Sequence, residues 1–153
     1  MTALMSCTIG NTDKMAEYLE ECRQLKIEVL PPDINASDFD MTIEGACHAE
    51  APGGAKAGRI RFGLGAVKNT GERAIEHILE VRKKVGRFKG VFDLSEAVDH
   101  HSVDAKAVEA LVKAGAFDST GLKRAQLMEV LEPAMKIGSL KQQDQALGQM
   151  TFF

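Results

Sequence analysis

The chain has 153 residues, 44% of them hydrophobic, with one Tyr and no Trp. This length suits one domain or two small ones around an aliphatic core, and no apolar run approaches the roughly 20 residues that span a bilayer. The N-terminus lacks the basic, apolar and small-residue succession of a signal peptide. We therefore expect a cytoplasmic protein with no membrane partner.

The formal net charge of −3 is distributed unevenly. Residues 1–55 carry 3 basic and 10 acidic side chains, residues 56–89 carry 10 and 3, and residues 90–153 carry 6 and 9. The middle stretch is therefore strongly basic inside an acidic chain. Such a stretch is the electrostatic footprint of a phosphate-binding surface, and a solvated helix face is the alternative.

Cysteine and histidine usage argues against a metal site. Cys7, Cys22 and Cys47 are widely spaced and include no C-x-x-C pair, so reduced structural thiols are expected. His100 and His101 are adjacent in a predicted turn between helices, and adjacent side chains do not converge on one ion. No metal ligand is predicted.

The first third predicts one helix and a small sheet. Asn11-Thr12-Asp13 supplies N-cap candidates for an amphipathic helix over roughly 12–25, whereas Met1–Met5 begins without a cap, as if cut from a longer helix. Ile27–Leu30 is a short extended segment, stopped by Pro31-Pro32.

Alternation of apolar and polar residues predicts a β-hairpin. Phe39, Met41 and Ile43 alternate with polar residues, which indicates a half-buried strand. Arg59–Phe62 alternates in the same way and is the expected partner. The connection Gly45–Gly58 is rich in Gly and Ala and is predicted to be a flexible loop.

Helical patterns dominate after Gly65. They predict one helix over about 72–84 ended by Gly86, a short one over 93–98, and one capped by Asp104 and ended by a left-handed Gly115. A last helix starts near Leu122, with Leu127, Val130 and Leu131 inward, and Pro133 must kink or restart it. Phe88 and Phe92 are expected core anchors, and Gln142–Gly148 is expected to be a polar linker. The predicted fold class is α+β, mostly α-helical, with a small β-hairpin followed by a helix-hairpin-helix domain.

The stretch from Gly65 to Ile75 predicts a helix, a tight hairpin at Asn69-Thr70-Gly71 and a second helix. Such a hairpin points backbone N–H groups outward at a helix N-terminus, where the helix dipole also favours a phosphate. Lys68 and Arg73 flank it and can add charge-assisted contacts. We expect backbone contacts to DNA here; an ordinary corner between two helices is the alternative.

Two further segments are candidate binding elements. Lys113–Phe117, followed by Lys123 and Arg124, is a candidate second hairpin, although Gly115 as a helix stop and Phe117 as a core residue also explain it. The last five residues place Gln149 before three apolar side chains, Met150, Phe152 and Phe153. This pattern is typical of a short anchoring peptide, and a frayed end or a strand docked on its own domain is the alternative.

No catalytic machinery is predicted. Asp38 and Asp40 are too exposed and unsupported to hold two Mg²⁺ ions. The sequence has no P-loop, no metal-spaced His/Cys set and no Ser–His–Asp arrangement.

Several strings resemble, in order and spacing, the bacterial DNA polymerase III alpha subunit, the C-family replicative polymerase. They are N-T-D-K at 11–14, E-E-C-R at 20–23, L-P-P-D-I-N at 30–35, F-G-L-G-A-V-K at 62–68 and K-A-G-A-F-D at 113–118. The resemblance covers essentially the whole chain. Asn69 stands where the family usually has the first Gly of its hairpin, and Asn tolerates a left-handed conformation better than most residues.

The resemblance implies a piece of a longer protein. Residues 1–62 would end the fingers domain, 63–146 would form the helix-hairpin-helix region, and 147–153 would begin a clamp-binding tail. The implied partners are DNA, the sliding clamp and the rest of the alpha subunit. Gln149, Met150, Phe152 and Phe153 would bind the clamp. The parent would be a DNA-directed DNA polymerase, a nucleotidyltransferase whose Mg²⁺ ions lie in its palm domain, and this piece alone would be inactive.

Two other interpretations remain open. The chain could be a free-standing helix-hairpin-helix DNA-binding or repair accessory protein. It could also be a structural interaction module with no nucleic-acid role.

Overall fold

A computed structural model describes residues 1–45 and 58–151, with only the backbone of 149–151. The predicted loop Gly45–Gly58 therefore lies almost wholly outside the described residues. Described elements run in this order: α1 (Thr2–Cys7), α2 (Thr12–Gln24), β1 (Val29–Leu30), β2 (Thr42–Glu44), β3 (Arg59–Arg61), α3 (Glu72–Val85), α4 (Val91–Ala97), α5 (Ala105–Ala114) and α6 (Arg124–Thr151). The predicted class is confirmed: the molecule is mostly helical, with one small sheet ahead of the main helices.

Helix α2 begins where the cap residue predicts. The Asn11 side chain accepts a hydrogen bond from the Lys14 amide at 3.2 Å, which satisfies one of the open donors of the first turn. Helix α1 has no side-chain cap at Met1. The buried side chains of both helices, Met5 and Cys22, meet Met41 and Ile60 of the sheet region in a small first core.

The sheet has the order β1-β3-β2, with β1 parallel and β2 antiparallel to β3. Ile43 pairs with Ile60, so the predicted partnership of the two segments is confirmed. The predicted strand from Phe39 is too long, because only Thr42–Glu44 forms a ladder. Its predicted burial also fails at Ile43, which is 56% exposed. Ile43 lies on the edge strand β2 and is not part of the first core, which Met41 joins.

Helices α3 and α5 follow the predicted bounds, whereas α4 spans Val91–Ala97 instead of the predicted 93–98. Helix α3 ends at Val85, before Gly86 with φ +91°. Asp104 caps α5 by accepting from the Ala107 amide at 2.8 Å, and Gly115 follows α5 in the left-handed conformation with φ +88°. His100 and His101 lie in the turn between α4 and α5.

The second, larger core joins α3, α4, α5 and α6. Its largest fully buried side chains include Phe88 and Phe117, and Ile34 reaches it from the segment between β1 and β2. Phe92 does not anchor this core as predicted, because it is 41% exposed. Phe92 lies on the outer side of the short α4, whose Val91 and Leu94 take the inward positions.

Helix α6 continues without interruption through Pro133, so the predicted restart there is wrong. Packing supplies the reason: Ala134 and Met135 are buried, and Gly138 lies so close to α4 that a Cβ there would be 2.4 Å from the Ser95 carbonyl oxygen. Leu127 and Leu131 face the core as predicted, while Val130 is half-buried. The predicted linker Gln142–Gly148 is helical and mostly exposed.

Candidate nucleic-acid interface

The predicted first hairpin forms between a 3-10 turn at Leu64–Ala66 and helix α3. Asn69 has φ +65° and Gly71 has φ +76°, so Asn69 does adopt the left-handed conformation. The Thr70 hydroxyl donates to the Val67 carbonyl oxygen at 2.8 Å, and Thr70 is 5% exposed. The Thr70 side chain thus closes the turn from inside, which leaves only its backbone for an outside ligand.

Helix α3 has an open N-terminus. Its N-cap residue is Gly71, and no side chain accepts a hydrogen bond from the first turn. The first N–H groups of any helix lack intrahelical acceptors, and here they face outward beside the positive end of the helix dipole. Glu72 is the acidic residue of this turn, and its side chain is exposed to solvent. The arrangement suits an anionic oxygen placed over the turn.

Lys68 and Arg73 flank this open turn. Both are exposed, and neither forms an ion pair with any residue that the structure describes. Lys68 also borders two hollows lined by Leu19, Phe62 and Ala66. An apolar support of this kind holds the aliphatic part of a lysine while its ammonium group stays in water.

Tertiary structure divides the basic stretch 56–89. Three of its arginines pair with acidic residues of the first third: Arg59 with Glu28 at 3.9 Å, Arg61 with Glu44 at 2.7 Å, and Arg82 with Asp38 at 3.1 Å. The Arg61 hydrogen bond lowers the pKa of the Glu44 carboxyl. The remaining described basic residues lie at the two ends of α3: Lys68 and Arg73 at its start, and Lys83, Lys84, Arg87 and Lys89 at and after its end. The stretch is therefore not one continuous binding surface.

Arg82 fixes α3 against the segment between β1 and β2. Its guanidinium donates to the carbonyl oxygens of Ile34 at 3.1 Å and Ser37 at 2.6 Å. Asn35 adds a second link, because its amide both donates to and accepts from the Phe88 backbone, at 2.9 and 2.8 Å. The sequence pattern missed both residues as positioning elements, since their partners are about 50 residues away.

The second hairpin connects α5, a 3-10 turn at Asp118–Thr120, and α6. Arg124 donates to both carboxylate oxygens of Asp118, at 2.9 and 2.5 Å, and to the Lys113 carbonyl oxygen at 3.3 Å. This bidentate hydrogen bond lowers the pKa of Asp118 and raises that of Arg124. Gly115 is buried beneath the guanidinium.

Lysines at the second hairpin differ in their pairing. Lys113 pairs with Glu109 at 2.5 Å. Lys123 is exposed, and its backbone amide donates to the Gln126 side chain at 3.2 Å. Among the described residues, Lys123 is thus the basic side chain of this hairpin that has no acidic partner.

The predicted anchoring peptide begins on helix α6. The helix includes the backbone of Gln149–Thr151, whereas their side chains and all of Phe152 and Phe153 lie outside the described residues. The clamp-binding assignment of these residues stays a prediction.

The described residues form neither a metal-binding cluster nor a membrane-spanning helix. No group of three or more His, Cys, Asp and Glu side chains is arranged to hold a metal ion within 1–45 and 58–151. In the same ranges, no helix has the length and hydropathy that crossing a membrane requires.

Comparison with known sequences identifies the class. The helix-hairpin-helix motif family matches residues 26–127, which include both hairpins, and the chain belongs to this family. The relatives are DNA polymerase III alpha subunits: 35% identity over 153 residues with the Vibrio cholerae protein and 34% over 153 residues with that of Escherichia coli K12. The Thermus aquaticus subunit is 43% identical over 136 residues.

These alignments cover 100%, 100% and 89% of this chain. They cover only 12%, 12% and 10% of the relatives' own lengths. The chain is thus homologous to an internal segment of that subunit, which confirms the resemblance seen in the sequence strings.

Proposed function

We propose that this chain binds the sugar–phosphate backbone of duplex DNA as part of a bacterial replicative DNA polymerase. The observation that carries the proposal is the open start of α3. Its uncapped amides lie between Lys68 and Arg73, two exposed basic side chains that have no acidic partner among the described residues. Membership of the helix-hairpin-helix family and the polymerase relatives support the same assignment.

The contact at the first hairpin combines backbone hydrogen bonds with side-chain charge. Backbone amides from Gly71 onward donate to a phosphate oxygen, while Lys68 and Arg73 add charge and release counterions. Because phosphates are the same along any sequence, the contact positions the protein without reading bases. The second hairpin contributes a weaker contact through Lys123, because Arg124 is held by Asp118 and Gly115 is buried beneath the Arg124 guanidinium.

The activity of the longer protein follows from its relatives. It is proposed to be a DNA-directed DNA polymerase that transfers nucleotides to a primer with Mg²⁺ bound in another domain. The role of this segment is to hold the duplex, with residues 1–62 as the end of the fingers domain and 63–146 as the DNA-binding region.

A second proposed contact is the tether to the sliding clamp through Gln149, Met150, Phe152 and Phe153. Support comes from the sequence pattern and from helix α6, whose residues 143–148, just before the peptide, are exposed. At about 1.5 Å per residue, the 28 residues of α6 extend roughly 42 Å.

Duplex binding is tested with Lys68→Ala/Arg73→Ala, measured by fluorescence anisotropy over a range of salt concentrations. We expect affinity to fall by about the same factor for unrelated sequences, and the salt slope to flatten by about 2, since two phosphate contacts are lost. The matched control is Lys106→Ala/Lys136→Ala, which removes the same charge from exposed positions away from the hairpin. If both variants lost the same amount of duplex affinity, the loss would be explained by net charge alone and the hairpin site would be refuted.

Clamp tethering is tested with Gln149→Ala/Phe153→Ala in a pull-down by the cognate sliding clamp. Capture should be lost, because the pair removes the polar and the aromatic anchor of the peptide. Gln143→Ala/Gln145→Ala, on the exposed part of the same helix, should be captured like the parent chain. Retained capture of the first variant would refute the tether and leave the duplex proposal untouched.

A further inference from the structure

Four basic side chains gather at the end of α3, away from the first hairpin. Lys83, Lys84, Arg87 and Lys89 are all exposed, and none forms an ion pair with a residue in the described ranges. Lysines in a last helical turn complement the helix dipole, which accounts for Lys83 and Lys84. Arg87 and Lys89 follow the helix and have no such explanation.

The segment that carries Arg87 and Lys89 is held in place. Phe88 between them is fully buried, and its backbone N–H and carbonyl both bond to the Asn35 amide. Arg87 and Lys89, on either side of the buried Phe88, are both exposed. The charges are therefore presented by a fixed backbone.

Beside Lys89 lies a largely apolar groove between the start of α4 and the first turns of α6. Its volume is about 390 Å³, and its lining includes Val91, Phe92, Leu122 and Leu127. Phe92 and Leu122 are 41% and 47% exposed. Asp93 is the acidic side chain of the lining, and one of its oxygens accepts from the Lys89 amide at 3.1 Å. The groove therefore has an exposed aromatic ring, Phe92, next to the basic residue Lys89.

We propose that this groove binds single-stranded DNA, with a base against Phe92 and the adjoining phosphates on Lys89 and Arg87. Single-strand sites combine a basic track with aromatic stacking surfaces. In a duplex the bases are already stacked and do not reach an aromatic side chain in a recess. An acidic apolar peptide is the competing occupant. The basic residues along the segment, which have no acidic partner in the described ranges, favour a nucleic-acid strand, because it carries one negative charge per nucleotide.

This site is separate from the first hairpin. The two lie at opposite ends of α3, whose 14 residues extend roughly 21 Å. If the proposed function holds, the hairpin contacts the duplex backbone while the groove contacts a single strand. A DNA molecule with a duplex region and a single-stranded region would then contact both ends of α3.

The test compares a fluorescent 12-nucleotide oligo-dT with a blunt duplex of the same length, using the whole chain. Phe92→Ala should weaken oligo-dT binding roughly 5- to 150-fold, the range for loss of one stacking contact, and leave duplex affinity unchanged. Phe92→Tyr keeps the ring and should keep the affinity. Leu140→Ala, at a more exposed apolar position on α6, is the control and should bind like the parent chain.

Charge variants separate this site from the hairpin. Arg87→Ser/Lys89→Ser should flatten the salt slope for oligo-dT by about 1.4, at roughly 0.7 per phosphate contact on a single strand. Lys68→Ala/Arg73→Ala should weaken duplex binding and spare oligo-dT. Unchanged oligo-dT affinity in Phe92→Ala overturns the groove proposal, whereas unchanged duplex affinity in the hairpin variant overturns the proposed function instead.

Discussion

The two hairpins share a local design and differ in what surrounds them. Each has a residue in the left-handed region at its turn, Asn69 in the first and Gly115 in the second, and each is followed by a helix with basic residues at its start. At the first hairpin, Lys68 and Arg73 have no acidic partner among the described residues. At the second, Arg124 is committed to Asp118 and to the Lys113 carbonyl oxygen.

That difference shows how one turn geometry serves two purposes. A phosphate site needs donors that remain unsatisfied until the ligand arrives, and the first hairpin keeps its helix start uncapped. The second hairpin uses its arginine to cover Gly115 and close the connection between α5 and α6. We expect the first hairpin to affect DNA affinity and the second to affect stability.

The largest expected effect comes from removing one arginine from each hairpin and comparing DNA affinity with thermal stability. Arg73→Ala should lower duplex affinity about 10- to 100-fold, the range for losing one charge-assisted hydrogen bond, with an unchanged thermal midpoint. Arg124→Ala should lower the thermal midpoint, because it leaves Asp118 without its partner, and should change duplex affinity by less than Arg73→Ala. Anisotropy and thermal unfolding of both variants provide the comparison. If both variants changed duplex affinity and thermal midpoint in the same way, the distinction between the hairpins would be wrong.

A smaller effect is expected from the two glycines. Gly115→Ala should cost about 1–3 kcal/mol of unfolding free energy, since φ is +88° and the new Cβ would lie 2.4 Å from an Arg124 guanidinium nitrogen and 2.9 Å from an Asp118 oxygen. Gly71→Ala meets no atom within 4 Å, so only its backbone conformation is strained and its cost should be lower. Urea unfolding of both variants tests the order. A greater loss for Gly71→Ala would show that the second hairpin is the more tolerant one.

The smallest effect is a pH dependence located at the second hairpin. Arg124 lowers the folded-state pKa of Asp118 below its unfolded value of about 3.9. The pair therefore contributes stability that is present above about pH 3.9 and is lost as pH falls through the lower, folded-state pKa. Both side chains are about half exposed, so the contribution is small.

Thermal midpoints between pH 5 and pH 2 check this sign. The parent chain should exceed Asp118→Asn at pH 5, and the gap should close in acid. Glu129→Gln, an exposed carboxyl on α6 without an ion pair to the described residues, should show no such gap. An Asp118→Asn gap that is constant with pH would assign its effect to hydrogen bonding alone.

The sequence by itself determined the features that depend on neighbouring residues. Asn11 and Asp104 cap their helices, Gly86 and Gly115 end theirs, and Asn69 adopts a positive φ, because caps and turns are governed by interactions within about four residues. The bounds of α3 and α5 followed from the same local patterns.

Only the tertiary structure decided which charges are available. Arg59, Arg61 and Arg82 are as basic as Lys68 in the sequence, yet they are paired with carboxylates 17 to 44 residues away. Phe92 was expected inside and lies outside, and α6 continues through Pro133, because packing against α4 outweighs the local cost of the proline. Pairing and burial depend on which distant segments meet, and no pattern within one segment carries that information.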